Sequence, residues 1–197
     1  MAIYNGTYYG TLGDDFWQLG LDTSLAYGRA GNDTLYGSDG SEDTLYGNRG
    51  SDSLFGNGGN DSLFGGYGAD YLSGGAGADS LNGGAGNDIL IGYGGGTEPE
   101  FDFDSLLGGT GADTFVLGEG FAFYISPATD EFARILDFSR AEGDKIQVFG
   151  SISDYSLEVD IFGGTQISYQ GNLIAVVDDV TDLSLQLDFT FTGVNIV

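Results

Sequence analysis

The chain has 197 residues, enough for one domain or two small ones. Thirty acidic residues against five basic ones give a formal net charge of −25, which argues against nucleic acid as a partner and suits a binder of multivalent cations. With neither cysteine nor histidine, disulfide, zinc, haem and iron–sulfur chemistry are excluded as organising principles.

Residues 1–9 read as a lead-in. The opening MAIYNGTYYG has no basic region and no apolar run, so it is not a Sec-type signal peptide. Nothing in the chain approaches the roughly twenty consecutive apolar residues of a membrane helix. Met1 and a closing segment at the far end favour a self-standing module over an accessory piece of a larger enzyme.

A nine-residue period then takes over. The unit at 10–18 (GTLGDDFWQ) carries Asp15, with Trp17 in its apolar slot. Residues 19–27 (LGLDTSLAY) keep the length but place Ser24 where the aspartate belongs. From residue 28 to 91 seven units follow without a gap: GRAGNDTLY, GSDGSEDTLY, GNRGSDSLF, GNGGNDSLF, GGYGADYLS, GGAGADSLN and GGAGNDILI. Their aspartates, Asp33, Asp43, Asp52, Asp61, Asp70, Asp79 and Asp88, are spaced by nine, once by ten. An insertion within 92–103 carries Glu98, Glu100 and Asp102; Asp104 and Asp113, the latter in GGTGADTFV at 108–116, restore the spacing. Eleven units can be drawn over 10–116, ten of them with the aspartate.

Each unit joins a turn to a short strand. Glycine recurs because such turns need positive φ and close backbone approach. The three residues x-U-x, with U large and apolar, alternate in and out along a strand. Leu35, Leu45, Leu54, Leu63, Leu72, Leu81, Leu90, Leu106 and Phe115 should therefore stack as the core of two parallel sheets. No unit buries its own leucine, so stability must come from stacking, and from whatever answers the stacked carboxylates.

The pattern G-G-x-G-x-D-x-U-x resembles the RTX family of secreted calcium-binding β-roll proteins. The resemblance implies an all-β fold, a right-handed parallel β-roll over 10–116 with two units per coil, closed by a β-rich segment at 117–197. It also implies the ligands: the sixth-position carboxylates of Asp15, Asp33, Asp43, Asp52, Asp61, Asp70, Asp79, Asp88, Asp104 and Asp113, and turn carbonyls. The carbonyl candidates are Gly31, Gly40, Gly50, Gly59, Gly68, Gly77, Gly86 and Gly111, with Gly56, Gly65, Gly66, Gly74, Gly75, Gly83 and Gly84. On two units per coil the aspartates form two columns: Asp15, Asp33, Asp52, Asp70, Asp88 and Asp113, and Asp43, Asp61, Asp79 and Asp104. One calcium between neighbours gives about eight ions, each a hard cation wanting roughly six to eight oxygens.

Composition shifts near Leu117. Residues 130–151 resemble the D-F-x…G-D-K-I block that closes such rolls, with Asp137, Phe138, Gly143, Asp144, Lys145 and Ile146 at the matching places. Asp137 and Asp144 read as loop caps or partners of Lys145 more readily than as ion ligands. Strands are expected at Tyr155–Ile161, Thr165–Tyr169, Leu173–Asp178 and Leu183–Phe191, with a hairpin turn at Gln170-Gly171-Asn172. The tail LQLDFTFTGVNIV is compatible with the uncleaved C-terminal signal by which such families leave the cell through a type I pathway.

Nothing points to an enzyme. Lys145 is the only lysine, no G-x-S-x-G elbow occurs, and the period accounts for most carboxylates. The expected function is a secreted, calcium-binding module whose folding is coupled to several calcium ions. The alternative is a calcium-stabilised adhesion or polysaccharide-binding surface, carried by the ninth-position aromatics Tyr36, Tyr46, Phe55 and Phe64, which otherwise serve cross-strand packing. Expected partners are calcium ions and, in the alternative, a polysaccharide or cell-surface ligand; no nucleic acid and no membrane span are expected, in an extracellular or cell-surface protein.

Overall fold

The computed structural model describes residues 2–4, 6–20, 24–93, 103–118 and 132–192. Among them lie β1 (Ala2–Tyr4), β2 (Thr7–Tyr9), β3 (Phe16–Gln18), β4 (Leu25–Ala30), β5 (Thr34–Tyr36), β6 (Thr44–Arg49) and β7 (Ser53–Gly58). β8 (Ser62–Tyr67), β9 (Tyr71–Ala76), β10 (Ser80–Ala85), β11 (Ile89–Tyr93), β12 (Phe103–Thr110) and β13 (Thr114–Val116) complete the periodic part. Beyond it come β14 (Phe132–Ile135), β15 (Lys145–Phe149), β16 (Tyr155–Val159), β17 (Thr165–Tyr169), β18 (Asn172–Val177) and β19 (Phe189–Thr192). The insertion acids Glu98, Glu100 and Asp102 lie outside the described residues.

Strands alternate between two sheets. Even-numbered strands from β2 to β14 lie side by side in one sheet, and odd-numbered strands from β3 to β15 in the other. All these neighbours are parallel: Leu45 is opposite Leu63, and Leu54 opposite Leu72, so two units make one coil. The chain is a parallel β-roll. Its core is one file of side chains per sheet, with Leu45, Leu54, Leu63, Leu72, Leu90, Leu106 and Phe115 fully excluded from solvent.

Several strands are six residues long, not three, because the first turn positions of the next unit stay extended. Alternation then turns the first-position glycine inward beside the leucine: in β7, Leu54 and Gly56 are the buried pair. Glycine is needed there because a Cβ on Gly56 would collide with the Asp61 Oδ2 folding back beneath the strand. The second turn position has positive φ in the regular units even where no glycine fills it, as at Arg29 (85°), Asn48 (79°) and Asn57 (75°), though not at Ser38 of the ten-residue unit.

The parallel rungs continue past residue 116. Phe115 pairs with Ile146, Leu106 with Ile135, and Ile146 with Phe189, so residues 132–149 and 189–192 extend both sheets. β16, β17 and β18 add an antiparallel meander to the end of the larger sheet. At the other end β1 and β2 form a hairpin, and Tyr8 takes the inward slot opposite Ala26.

Three expected strands differ at their ends. The first stops at Val159, because Asp160 Oδ1 accepts the Phe162 and Gly164 N–H groups and turns the chain. The third starts at Asn172, which pairs with Tyr169, leaving a two-residue loop of Gln170 (φ 49°) and Gly171 (φ 87°), the primed-turn geometry that suits strand twist. The fourth begins only at Phe189, since Ser184 and Asp188 close a turn before it.

Replacing Gly68 with alanine should destabilise the roll by more than the about 1–2 kcal/mol of a left-handed residue, because its φ is 131° and a Cβ would run into the Gly50 carbonyl. Gly13→Ala meets nothing within 4 Å and should stay within about 0.5 kcal/mol. Denaturant unfolding in calcium-containing buffer compares the two.

Candidate functional site

The turns bring the aspartates into two columns. Asp33 Oδ1 accepts the Asp15 N–H at 2.8 Å, Asp52 that of Asp33 at 2.7 Å, Asp70 that of Asp52 at 2.7 Å, Asp88 that of Asp70 at 2.8 Å and Asp113 that of Asp88 at 2.8 Å. In the second column Asp61 receives Asp43 at 2.7 Å, Asp79 receives Asp61 at 2.8 Å and Asp104 receives Asp79 at 2.9 Å. From Asp33 to Asp113 every column member is buried; Asp15 is half-exposed.

One carboxylate oxygen of each accepting aspartate is thereby used, and for seven column members the other finds no donor among the described residues. Oδ2 of Asp33, Asp52, Asp61, Asp70, Asp88 and Asp113, and Oδ1 of Asp43, are buried without a hydrogen-bond donor. A buried ionised carboxylate without a partner is strongly unfavourable. Burial is the main reason the carboxyls titrate high: Asp52, Asp61 and Asp113 are pushed up to about 6 and Asp70 to about 7, with column neighbours adding repulsion and the accepted N–H groups opposing it. Asp33 and Asp88 are raised for the same leading reason.

First-position glycines lie beside these oxygens, and the other glycine candidates, Gly40 apart, face the neighbouring coil. A Cβ on Gly47 would touch both Asp52 Oδ2 and, at 2.7 Å, the Gly65 carbonyl; on Gly65 it would meet Asp70 Oδ2 and, at 2.6 Å, the Gly83 carbonyl. The Gly74 carbonyl approaches Gly56 in the same way, beside Asp61 Oδ2. Carbonyls of Gly31, Gly50, Gly59, Gly68 and Gly86 point at Gly50, Gly68, Gly77, Gly86 and Gly111 of the next coil, and those of Gly66 and Gly84 at Gly84 and Gly109; Gly75 faces the Asn57 carbonyl. Gly40, in the ten-residue unit, has open space around it. The site is a pair of carboxylates with backbone carbonyls, all hard oxygen donors. Among the described residues no group of three or more acidic side chains converges on a metal position.

Sequence reasoning missed three features. Asp144 extends the longer column: its Oδ1 accepts the Asp113 N–H at 2.9 Å and its Oδ2 the Ser139 N–H at 2.7 Å. Asp137 caps the Gly108 and Gly109 N–H groups at 2.8 and 2.7 Å. Both aspartates thus engage backbone N–H groups, as loop caps do, whereas Lys145 goes elsewhere, donating to the Leu187 carbonyl at 2.6 Å. The fifth-position side chains form a further ladder, in which Asn32, Asn60 and Asn87 Oδ1 accept the Ser51, Ala78 and Ala112 N–H groups at 2.9, 3.0 and 2.9 Å. Its signal was the Asp, Asn or Ser directly before Asp15, Asp33, Asp52, Asp61 and Asp88. Finally, fully buried Asp188 is held by Arg140 Nε and Nη2, both at 2.6 Å, and by the Ser184 N–H at 2.7 Å, which together hold its carboxyl below the usual range against its burial.

The outer aromatics stack on one another. Tyr36 lies 4.6 Å from Phe55 at 9°, and Tyr46 4.8 Å from Phe64 at 9°, the second stack continuing through Tyr27 and Tyr9. Their faces are occupied by neighbouring rings, as cross-strand packing predicts.

Geometry alone defines a parallel solenoid whose turns stack acidic oxygens for hard divalent cations. Four copies of the RTX calcium-binding nonapeptide repeat match residues 4–41, 41–72, 64–96 and 101–121. The chain belongs to this RTX repeat family, whose repeats bind calcium. No curated protein matches it.

A carboxyl whose pKa is higher folded than unfolded favours the fold only while protonated. That contribution is complete below the ordinary value of 3.8 and is lost as pH rises through about 6 to 7. In chelator the β content seen by far-UV circular dichroism should therefore fall between pH 5 and pH 8, and saturating calcium should flatten the dependence; a β content that stays high at every pH in chelator would contradict the burial of these carboxyls.

Proposed function

We propose that the chain is a secreted calcium-binding module whose folding is coupled to the uptake of several calcium ions by its two aspartate columns. The observation that carries this is the file of buried carboxylate oxygens on Asp33, Asp52, Asp70, Asp88 and Asp113, with Asp43 and Asp61 in the second column, that no donor among the described residues answers. Calcium supplies the missing positive charge and takes the remaining oxygens, with side chains from Asp15 to Asp113 and turn carbonyls as ligands. One ion between column neighbours gives about eight ions and cancels about sixteen negative charges. The protein's own part is to stack the turns and hold one oxygen of the aspartate, Oδ1 within the columns and Oδ2 at Asp15 and Asp43 that head them, leaving the other to face the cation.

Coupling follows from the same arithmetic. Without calcium, closing the roll buries like charges against a core one leucine deep in each sheet; with it, binding free energy becomes folding free energy. Low intracellular calcium keeps such a chain open for export, and millimolar extracellular calcium closes it. RTX repeats are typical of extracellular proteins, and no described helix is long and apolar enough to cross a membrane. A type I route through the C-terminal tail fits this scheme. Residues 117–197 act as the closing segment. The role is scaffolding and not catalysis.

Calcium added to chelator-treated protein should produce a cooperative coil-to-β change in far-UV circular dichroism, with about eight ions bound by equilibrium dialysis. Equal β content with and without chelator would refute the coupling and leave a preformed calcium scaffold. Asp70→Asn, between Asp52 and Asp88, should remove about two ions, whereas Asp160→Asn, outside the columns, should remove none.

A further inference from the structure

One buried polar group belongs to neither the repeat pattern nor the strand ladders. Tyr8 occupies the inward slot that leucine fills elsewhere, and it is wholly excluded from solvent. Its ring stacks on Trp17, the only tryptophan, at 4.9 Å and 5°. Leucine would fill this slot; a phenol adds a hydroxyl to the core, and that hydroxyl has no hydrogen bond of acceptable geometry. Asp15 and Asp33 are the charges that act on it, with Asp15 as its incipient acceptor; after burial, they push the phenol up to about 12.

The surrounding turn is the least regular of the column. Asp15 Oδ2 is taken by the Thr11 N–H at 2.6 Å and hydroxyl at 3.0 Å, Asp15 N–H goes to Asp33 Oδ1, and Asp33 Oδ2 is a second buried oxygen without a donor. A Cβ on Gly10 would meet the Gly28 carbonyl and, at 2.8 Å, Asp15 Oδ2. Asp15 is half-exposed and spends Oδ2 on Thr11, as Asp43 at the head of the second column spends Oδ2 on Ser38, so this turn holds its carboxylate by the opposite oxygen from the inner coils. The unpaired phenol is a further oxygen at this end.

We propose that the Tyr8 hydroxyl is a member of the first cation site of the longer column, offering its oxygen to the ion shared by Asp15 and Asp33. This rests on the reading that the turn aspartates hold calcium. It makes the Tyr8–Trp17 stack a reporter of that one site, at the end of the roll where a coil has a neighbour on one side only.

The test titrates calcium into the chelator-treated full chain, following Trp17 fluorescence, far-UV circular dichroism and bound calcium by equilibrium dialysis. Tyr8→Phe keeps the ring and the stack. It should weaken the calcium response of Trp17 by about 10- to 100-fold, the usual effect of losing one partner at a metal site, with the main circular dichroism transition unmoved. Asp15→Asn, which leaves the phenol in place, should weaken the same response, and the double variant should be no weaker than the weaker single one. If Tyr8→Phe fails to fold in calcium, Asp15→Asn decides alone: an unchanged Trp17 response overturns the proposal. So does a Tyr8→Phe protein that matches the wild type in ion count and Trp17 midpoint while the wild type binds calcium. A wild type that takes up no calcium overturns the proposed function itself, and this site with it.

Discussion

Everything in this roll depends on how a buried carboxylate is answered. In the longer column Asp33, Asp52, Asp70, Asp88 and Asp113 each spend one oxygen on the backbone of the preceding coil and bury the other without a donor among the described residues. One N–H is too little to stabilise the charge, and the carboxyls titrate high in consequence. The leucine files press the coils together, and the columns push them apart. A divalent cation between coils reverses the second force without altering the first, which is why stacking and metal binding are inseparable here.

The protein carries its own comparison at the C-terminal end. Asp188 is as deeply buried as any column member, yet Arg140 and the Ser184 N–H answer both its oxygens and its pKa falls instead of rising. Asp144 stands between the two cases: two N–H groups engage it, no cation does, and burial still lifts its pKa. Hydrogen bonds alone therefore do not rescue a buried aspartate in this fold, whereas a positive charge does. The end of the roll has an arginine in that role, and the repeats have none.

The periodic part was legible because one unit states everything it needs. The nine-residue spacing fixed the coil, the apolar eighth residue fixed the core, and glycines at the first, second and fourth positions followed from collisions with Asp61 Oδ2, the Asn57 carbonyl or the Gly50 carbonyl. Apart from the fifth-position ladder, what escaped was non-periodic. Asp144 lies thirty-one residues beyond Asp113 across a change of composition, so no spacing links them, though they share a hydrogen bond. The parallel rungs from Phe115 to Ile146 and on to Phe189 are equally silent, because long connections separate strands that the sheet brings together. Lys145 was misassigned for a related reason: its acceptor, the Leu187 carbonyl, is a main-chain group that no side-chain pattern announces.

Outer and inner faces obey different rules. Inward positions repeat with little variation because each must fit the coil on either side. Outward positions vary, yet at the ninth place they keep rings, and those rings stack face to face along each sheet. A ring whose two faces are covered by its neighbours offers a ligand only its edge, which removes the flat apolar contact a sugar would use. The aromatic stripe thus strengthens the sheets that carry the turns, and its effect on function is exerted through the register of the aspartates. Tyr27 and Tyr46, each stacked on a ring to either side, are the members most fully committed to that packing.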